Sequence, residues 1–266
     1  MERINSFEQL QQQLGEARKH RFVTNFFLDP FKHAVWITKG DCYTEIVGDT
    51  LFVIRTDKGF WNVFYSSFNN ETLSSDIKSL IAKYPEQTMM FDIVGREVQC
   101  KPLVDILKEL GFKEATSLVR MNRIAGPFEY IPDETIRKAN ETDISQVSQL
   151  LHEYFDPQNE QIPYDEELLD YARQGYVLVC EEQEGIAGFL IYELNASTLY
   201  LRYWFTHPDY REMKVGSRLL RRFFEEGRDT KRQLFWVIRT NENAIKRYKH
   251  YGFNEENMFD YVMQYN

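Results

Sequence analysis

In the second half of the chain, apolar positions repeat every two residues in some segments and every three to four residues in others. The first period predicts strands and the second predicts helices. Apolar residues alternate over 199–206, which predicts a strand, and a His-Pro-Asp sequence ends it. Val215, Leu219 and Phe223 then recur at helical spacing. The pattern also predicts strands at 186–193, 234–239 and 258–264.

The first half shows the same kinds of pattern. A helix is expected to begin at Ser6 and to carry Phe7, Leu10 and Leu14 on one side. Downstream of it, the pattern predicts strands at 34–38, 51–56, 61–66 and 88–94 and a helix at 73–82.

A change of composition suggests where the two halves meet. One glycine and two prolines interrupt the ordered pattern within residues 124–133. The chain has 266 residues, which is enough for two domains of ordinary size. We therefore expect a first domain at 1–125, a linker at 126–134 and a second domain at 135–266.

Composition and charge limit the classes of partner. Apolar residues make up 43% and aromatic residues 15% of the chain, as in a globular protein. A net charge of -9 argues against binding to nucleic acid or to an anionic membrane. We expect a small molecule as partner, and a monomer and a homodimer both remain open.

The cysteines and the N-terminus predict a location in the cytoplasm. Cys42, Cys100 and Cys180 are far apart and have neither metal-binding nor redox spacing, which favours reduced thiols. The first residues include no apolar signal segment, and no apolar run is long enough to span a bilayer.

The turn between strand 199–206 and the following helix is the best candidate for a phosphate site. Backbone N–H groups and the positive end of a helix dipole meet there, and basic side chains add charge. An ordinary strand–helix connection with solvated arginines is the alternative. The turn consists of Arg211, Glu212, Met213, Lys214, Val215, Gly216 and Ser217.

A second motif follows this turn and identifies a family. Residues 241–253 read Asn-Glu-Asn-Ala-Ile-Lys-Arg-Tyr-Lys-His-Tyr-Gly-Phe. Together, the Arg-x-x-x-x-Gly-Ser turn and this segment resemble the acyl-CoA loop and the following helix of the GNAT superfamily of N-acetyltransferases. The resemblance extends from Ile136 to the C-terminus.

The resemblance implies a mixed α/β fold in which two GNAT-type domains each have a mostly antiparallel sheet flanked by helices. It implies acetyl-CoA as co-substrate and no metal. The backbone of Trp204, Phe205 and Thr206 would hold the pantetheine arm as an added strand does. Tyr248 would be the general acid, and Asn241 would cap the helix or contact the cofactor.

Two positions depart from the family pattern. Trp236 stands where several members have the acid that serves as general base. We therefore consider Glu193, a water relay, or no base beyond an amine that is already neutral. Lys214 stands where a glycine is usual, and a lysine would be strained there if the backbone required a positive φ.

The first half contains an echo of the second. Residues 103–114 parallel 244–255, since both run from a helix through Gly-Phe into a strand. We favour duplication, although Gly-Phe after a helix is also a common end signal. Residues 66–75, where the phosphate loop would fall, have neither a glycine nor a basic residue, and Leu107 replaces Tyr248. A degenerate GNAT-like domain is the resulting expectation.

The sequence thus predicts an N-acetyltransferase that moves acetyl from acetyl-CoA to a primary amine of a small or amino-acid-like acceptor. Two alternatives remain open. One is a non-catalytic protein that binds CoA or another ligand, which Trp236 and Lys214 favour. The other is an aminoacyl-tRNA-dependent transferase, against which the acidic charge and the CoA-type turn both argue.

Overall fold

The computed structural model describes residues 1–19, 23–126, 129–182 and 185–266. They divide into two compact units. Unit 1 comprises Met1–Leu118 and Asn257–Asn266, and unit 2 comprises Val119–Glu256. Pro127 and Phe128 of the predicted linker lie outside the described residues.

The two halves of the chain have the same order of elements, apart from the short strand β2. The first half contains β1 (Glu2–Arg3), α1 (Phe7–Arg18), β2 (Val23–Thr24), α2 (Pro30–Lys39), β3 (Cys42–Val47), β4 (Thr50–Asp57), β5 (Phe60–Ser67), α3 (Asn70–Lys83), β6 (Met89–Gly95), α4 (Glu97–Glu109) and β7 (Lys113–Ile124). The second half contains β8 (Ile136–Lys138), α5 (Ile144–Tyr154), α6 (Asp165–Arg173), β9 (Val177–Glu182), β10 (Gly185–Asn195), β11 (Thr198–Thr206), α7 (Val215–Glu226), β12 (Arg232–Ile238), α8 (Glu242–His250) and β13 (Asn254–Tyr265).

The sheet of each unit mixes antiparallel and parallel neighbours. In unit 1 the strand order is β1-β3-β4-β5-β6-β13, with β2 also paired to β5. In unit 2 the order is β8-β9-β10-β11-β12-β7. The pairs β5–β6 and β11–β12 are parallel, whereas β3–β4, β4–β5, β8–β9, β9–β10 and β10–β11 are antiparallel. The expected mixed α/β fold with mostly antiparallel sheets is confirmed.

The observed units differ from the ranges 1–125 and 135–266 because two strands run across the boundary. β13 pairs with β6 over Phe259–Tyr265 in unit 1, although it follows α8 in sequence. Conversely, β7 lies beside β12, and its residues from Val119 onward belong to unit 2. Each unit therefore includes strand residues from the other half of the sequence.

Each unit has its own apolar core. In unit 1, residues of α3 and α4, such as Leu73, Leu80 and Leu107, pack with Phe91 of β6. In unit 2, side chains from α5 and α6 pack with residues of β9, β10 and β11 such as Phe189. No helix in the part of the chain that the structure describes is long and apolar enough to cross a bilayer.

The expected strand at 34–38 is wrong, because this segment belongs to α2. Asp29 caps that helix by accepting a hydrogen bond from Lys32 N, Pro30 occupies its first turn, and Gly40 ends it with φ 81°. These end signals outweigh the β-branched residues between them. The expected helix after Ser6 is confirmed, and Ser6 accepts the capping bond from Gln9 N.

Candidate functional site

β11 and β12 of unit 2 pair over only part of their length, and the space between their unpaired ends is named the groove below. The two strands pair in parallel only from Thr198 opposite Arg232 to Tyr200 opposite Leu234. Beyond that point β11 continues to Thr206 and β12 to Ile238 without pairing to each other. The backbone groups that β11 turns toward β12 beyond this point therefore have no partner on that strand.

The candidate phosphate turn closes the outer end of this groove. A 3-10 segment, Pro208–Met213, carries the exposed residues Arg211, Glu212 and Met213, and α7 begins at Val215. Lys214 joins the two in the left-handed region, with φ 56° and ψ 26°. The position thus requires a positive φ, and the lysine bears the strain that a glycine would avoid.

Gly216 allows the start of α7 to approach the end of β11. A Cβ atom at Gly216 would lie 3.0 Å from Thr206 Oγ1 and 3.2 Å from Trp204 Cζ2. Both contacts are tighter than normal packing allows without movement of a neighbour. The glycine therefore sets the width of the turn, and Trp204 and Thr206 form its inner wall.

The basic residues from Arg211 to Arg228 divide into two groups. The first group is held by carboxylates: Arg218 by Asp133 and Glu182, Arg222 by Glu226, and Arg228 by Glu225. The second group, Arg211, Lys214 and Arg221, is exposed and forms no ion pair within the described residues. Only the second group leaves its full charge for an anion at the turn.

Two side chains tie α8 into this arrangement. Tyr251 donates a hydrogen bond of 3.0 Å to Ser217 Oγ, which links α8 to the first turn of α7. Asn241 caps α8 by accepting a bond of 3.1 Å from Ala244 N. Of the two roles expected for Asn241, its contacts display the capping role.

Tyr248 lies on α8 beside the groove, in an aromatic setting. Its ring centroid is 5.7 Å from that of Trp204 and 4.5 Å from that of Phe235. Burial raises the pKa of the phenol, and the positive charge of Arg247 opposes that shift. No described residue hydrogen-bonds the hydroxyl, so its proton is available for another acceptor.

Glu193 and Trp236 differ in their surroundings. Glu193 accepts a hydrogen bond of 2.6 Å from the Tyr171 hydroxyl and pairs with Arg202 at 3.4 Å. Trp236 is half-buried on β12, and the guanidinium of Arg120 lies 5.7 Å from its ring centroid. Glu193 therefore offers a carboxylate near β11, whereas Trp236 offers no proton acceptor.

Unit 1 has a corresponding gap between its parallel strands, and the chain itself fills it. β5 and β6 pair only at Trp61–Met89 and Asn62–Met90. Farther along, β2 pairs with Ser66 and Ser67 of β5. Asn25 then accepts a bond of 2.7 Å from Tyr65 N and donates one of 2.9 Å to Asp92 O of β6. The segment Val23–Asn25, named the plug below, thus bridges both diverging strands.

The structure brings together Trp204, Thr206, Gly216 and Tyr248 of the candidate residues. Phe205 points its side chain into the apolar core of unit 2, which leaves only its backbone for the groove. Tyr251 and Arg202 escaped sequence reasoning. Tyr251 lies three residues after Tyr248, so helical spacing alone predicts that both side chains lie on the same side of the helix.

Comparisons with known proteins concern the family and the fold. Residues 144–253 match the model of the Acetyltransferase (GNAT) family. A GCN5-related N-acetyltransferase from Sphaerobacter thermophilus has a similar structure, with a TM-score of 0.62 and 13% identity over 81% of this chain and 76% of that one. No curated protein sequence matches the chain.

Two further structures resemble most of the chain. A GCN5-related N-acetyltransferase from Kribbella flavida has a TM-score of 0.58 and 9% identity, over 88% of this chain and 92% of that one. A GNAT-family acetyltransferase from Colwellia psychrerythraea has a TM-score of 0.56 and 12% identity, over 100% and 99%. At these identities the structures show a shared fold, and the family match shows a GNAT-family domain at residues 144–253, within unit 2.

Proposed function

We propose that unit 2 transfers an acyl group, most simply acetyl, from acetyl-CoA to a primary amine of a small acceptor. The observation that carries the proposal is the groove between β11 and β12, which opens beyond Tyr200 and ends at the turn 211–217. A groove with unpaired strand edges suits an extended arm that contains amides. A turn with free helix N–H groups and exposed cations suits the diphosphate.

The donor would be held at three places. The N–H groups of the first turn of α7 have no carbonyl partner within the helix, so they face an anion at Gly216 and Ser217. Arg211 and Lys214 add charge from the side. The backbone of Trp204, Phe205 and Thr206 would pair with the pantetheine amides.

The reaction needs one proton donor and one proton acceptor. The neutral amine nitrogen attacks the thioester carbonyl carbon and gives up one proton to solvent, the C–S bond breaks, and the sulfur takes the proton of Tyr248. A phenol whose pKa is raised by burial remains protonated at neutral pH, which keeps that proton in place. The phenol regains a proton from solvent, and the products are an amide and a free thiol.

Glu193 is the residue that we propose to take the proton from the ammonium form of the acceptor. Its carboxylate is 25% exposed and lies on the strand next to β11. The hydroxyl of Tyr171 and the guanidinium of Arg202 fix its position. A fixed and partly exposed carboxylate can accept a proton and pass it to water.

Unit 1 would have no donor site of its own. The plug occupies the gap between β5 and β6, where a donor arm would otherwise pair. The turn after β5 contains no basic residue from Ser66 to Ser75. Together with the matching order of elements, this supports our proposal that unit 1 is a degenerate GNAT-like copy with a structural role.

The test measures donor binding and turnover separately on the full chain. Acetyl-CoA at saturating concentration is expected to raise the melting temperature, and a panel of primary amines is expected to release free thiol. If no donor shift occurs, the proposal is wrong. If the donor binds and no amine releases thiol, the protein is a CoA-binding protein without transferase activity.

A further inference from the structure

Arg202 occupies an irregular position in β11. The register between β10 and β11 shifts from Ile191 opposite Tyr203 to Tyr192 opposite Leu201, which leaves Arg202 without an opposite residue. Such a bulge redirects a side chain out of the regular alternation of the strand. Bulges of this kind are over-represented next to active sites.

The bulge lies at the closed end of the groove. β11 and β12 separate after Tyr200, and Arg202 comes two residues later. Thr206, at the turn end, is four residues farther along, which is about 13 Å in an extended strand. A donor arm that enters at the turn and follows β11 therefore brings its reactive end toward Arg202.

The guanidinium of Arg202 has partners on one side, and some of its N–H donors have none among the described residues. Its Nε lies 3.4 Å from Glu193 Oε1, and its Cζ lies 5.1 Å from the centroid of the Tyr200 ring. The side chain is 25% exposed. Within the described residues the two terminal nitrogens make no hydrogen bond. An arginine has five N–H donors in a planar fork, so the edge that suits a carboxylate is free.

Arg202 and Glu193 form a pair of opposite charges. Glu193 is the carboxylate, and it also accepts bonds from the Tyr171 hydroxyl at 2.6 Å and from Asn195 Nδ2 at 3.4 Å. The phenols of Tyr171, Tyr200 and Tyr203 are the other titratable groups that face the guanidinium. No second carboxylate among the described residues competes for its free edge.

We propose that Arg202 and Glu193 together bind the head group of an acceptor that carries an amino group and a carboxylate on neighbouring carbons, as an α-amino acid does. The carboxylate would receive two parallel hydrogen bonds from the free edge of Arg202. The ammonium would face Glu193, which takes its proton before attack. This inference rests on the proposed acyl transfer and specifies its substrate class.

The charge pattern also disfavours a simple amine. An acceptor without a carboxylate would cover the free edge of Arg202 without offering it a partner, and leaving buried donors unpaired is costly. A site built for a polar group therefore rejects the analogue that lacks it. We expect the wild-type protein to prefer the acid over its matched amide by at least about 100-fold in kcat/KM.

The experiment uses the full chain with saturating acetyl-CoA and measures thiol release. Each α-amino acid in the panel is compared with its primary amide and with the amine that lacks the carboxyl group. Arg202→Gln is expected to lower kcat/KM for the acid about 10- to 100-fold more than for the amide, whose value falls only because Glu193 loses one of its two fixing contacts. Arg202→Lys keeps the positive charge and loses the planar pair of N–H donors. Its kcat/KM for the acid is expected to lie between those of the wild type and Arg202→Gln.

Two controls separate recognition from folding. Arg173→Gln removes an exposed arginine at the end of α6 that pairs with Glu141. It is expected to leave kcat/KM unchanged for both the acid and the amide. The melting shift with acetyl-CoA shows whether each variant is folded. An equal loss for acid and amide in Arg202→Gln would mean a structural role and would overturn the inference.

The remaining outcomes distinguish this inference from the function beneath it. If bare amines react and acids do not, the inference is wrong while acyl transfer stands. If the donor binds and no amine of any class reacts, or if the donor does not bind, acyl transfer itself is wrong and the inference falls with it.

Discussion

The indole of Trp204 lies 5.7 Å, centroid to centroid, from the ring of Tyr248. The same indole lines the space in front of Gly216, where an added Cβ would be 3.2 Å from its Cζ2. One side chain therefore contacts both the turn proposed to bind phosphate and the phenol proposed to donate a proton. A change at either end of this contact is expected to affect the other end.

The first prediction concerns the hydroxyl of Tyr248. Tyr248→Phe keeps the ring that packs on Trp204 and Phe235 and removes only the proton donor. We expect kcat to fall by about 100-fold or more, as for loss of a general acid. The melting shift produced by acetyl-CoA should be retained, because the donor contacts lie elsewhere.

Tyr251→Phe is the matched control on the same helix. It removes the hydrogen bond to Ser217 Oγ and so acts on the turn. It should raise the KM for acetyl-CoA with a small effect on kcat. Equal effects of the two variants on kcat would remove Tyr248 from its assigned role.

The second prediction concerns the close approach at Gly216. Gly216→Ala places a methyl group against Thr206 Oγ1 and the Trp204 indole, and such overpacking costs about 1–3 kcal/mol. We expect the Kd for acetyl-CoA to rise about tenfold, because the displaced indole enters the groove. Gly15→Ala in α1 meets no atom within 4 Å and should stabilise the protein by about 0.5–1 kcal/mol. Tight donor binding by Gly216→Ala would contradict the proposed position of the donor.

The third prediction concerns the strained backbone at Lys214. Lys214→Gly removes the cost of φ 56° and should stabilise the folded state by about 1 kcal/mol, whereas Lys214→Ala should not. If the ammonium contacts the diphosphate, both variants should bind acetyl-CoA more weakly than the wild type. Calorimetry and thermal unfolding measure the two effects separately.

Ala196 supplies the matched control for Lys214. It has φ 52° in the turn between β10 and β11. Ala196→Gly should therefore give the same gain in stability without a change in donor affinity. Equal donor affinity for Lys214→Gly and the wild type would mean that the lysine makes no phosphate contact.

Much of the fold could be predicted because its signals are local. The caps at Ser6 and Asn241 are confirmed. The segment of α2 contains β-branched residues and misled the period analysis, although Asp29 and Gly40 already marked its ends. The sequence therefore predicted an element correctly where its capping residues and its hydrophobic periodicity indicated the same structure.

The long-range pairings could not be predicted in this way. The alternation of β13 favours a strand, and nothing within it specifies β6 as its partner. The plug and the bulge at Arg202 likewise depend on register between segments that are distant in sequence. The candidate turn was found because its residues are contiguous, whereas the pair of Arg202 and Glu193 appears only once β10 and β11 are aligned.

The fourth prediction concerns the number of donor sites. Because the plug fills the gap in unit 1, titration calorimetry should show one acetyl-CoA per chain. Asn25→Ala leaves Tyr65 N and Asp92 O without their side-chain partner, at a cost of about 1–3 kcal/mol. Its melting temperature should fall while the stoichiometry stays at one.

Asn5→Ala in the same unit is the control for the plug. Asn5 is exposed, and Arg3 O is the one acceptor for its side chain among the described residues, so its loss should change stability little. A second donor site in the wild type or in Asn25→Ala would contradict the structural role proposed for unit 1.

The fifth prediction concerns a buried carboxyl group in unit 1. Burial, and then the charge of Asp92, raises the pKa of Asp260 well above its usual range. Its Oδ1 is buried and has no hydrogen-bond partner among the described residues. The group is protonated in the folded state at pH values where the unfolded chain ionises it. Its contribution to stability is therefore complete below a pH of about 4 and is lost as the pH rises toward the raised pKa, at about 1.4 kcal/mol per pH unit.

Asp260→Asn carries no such charge, so it should be more stable than the wild type at pH 7.5. The difference should shrink steadily as the pH falls to about 4, and it should level off below that pH, where the wild-type carboxyl becomes neutral in both states. Urea unfolding across this range measures it. Asp105→Asn, an exposed position on α4, should show no comparable pH dependence. A constant difference between Asp260→Asn and the wild type at every pH would mean that Asp260 is not held neutral in the folded protein.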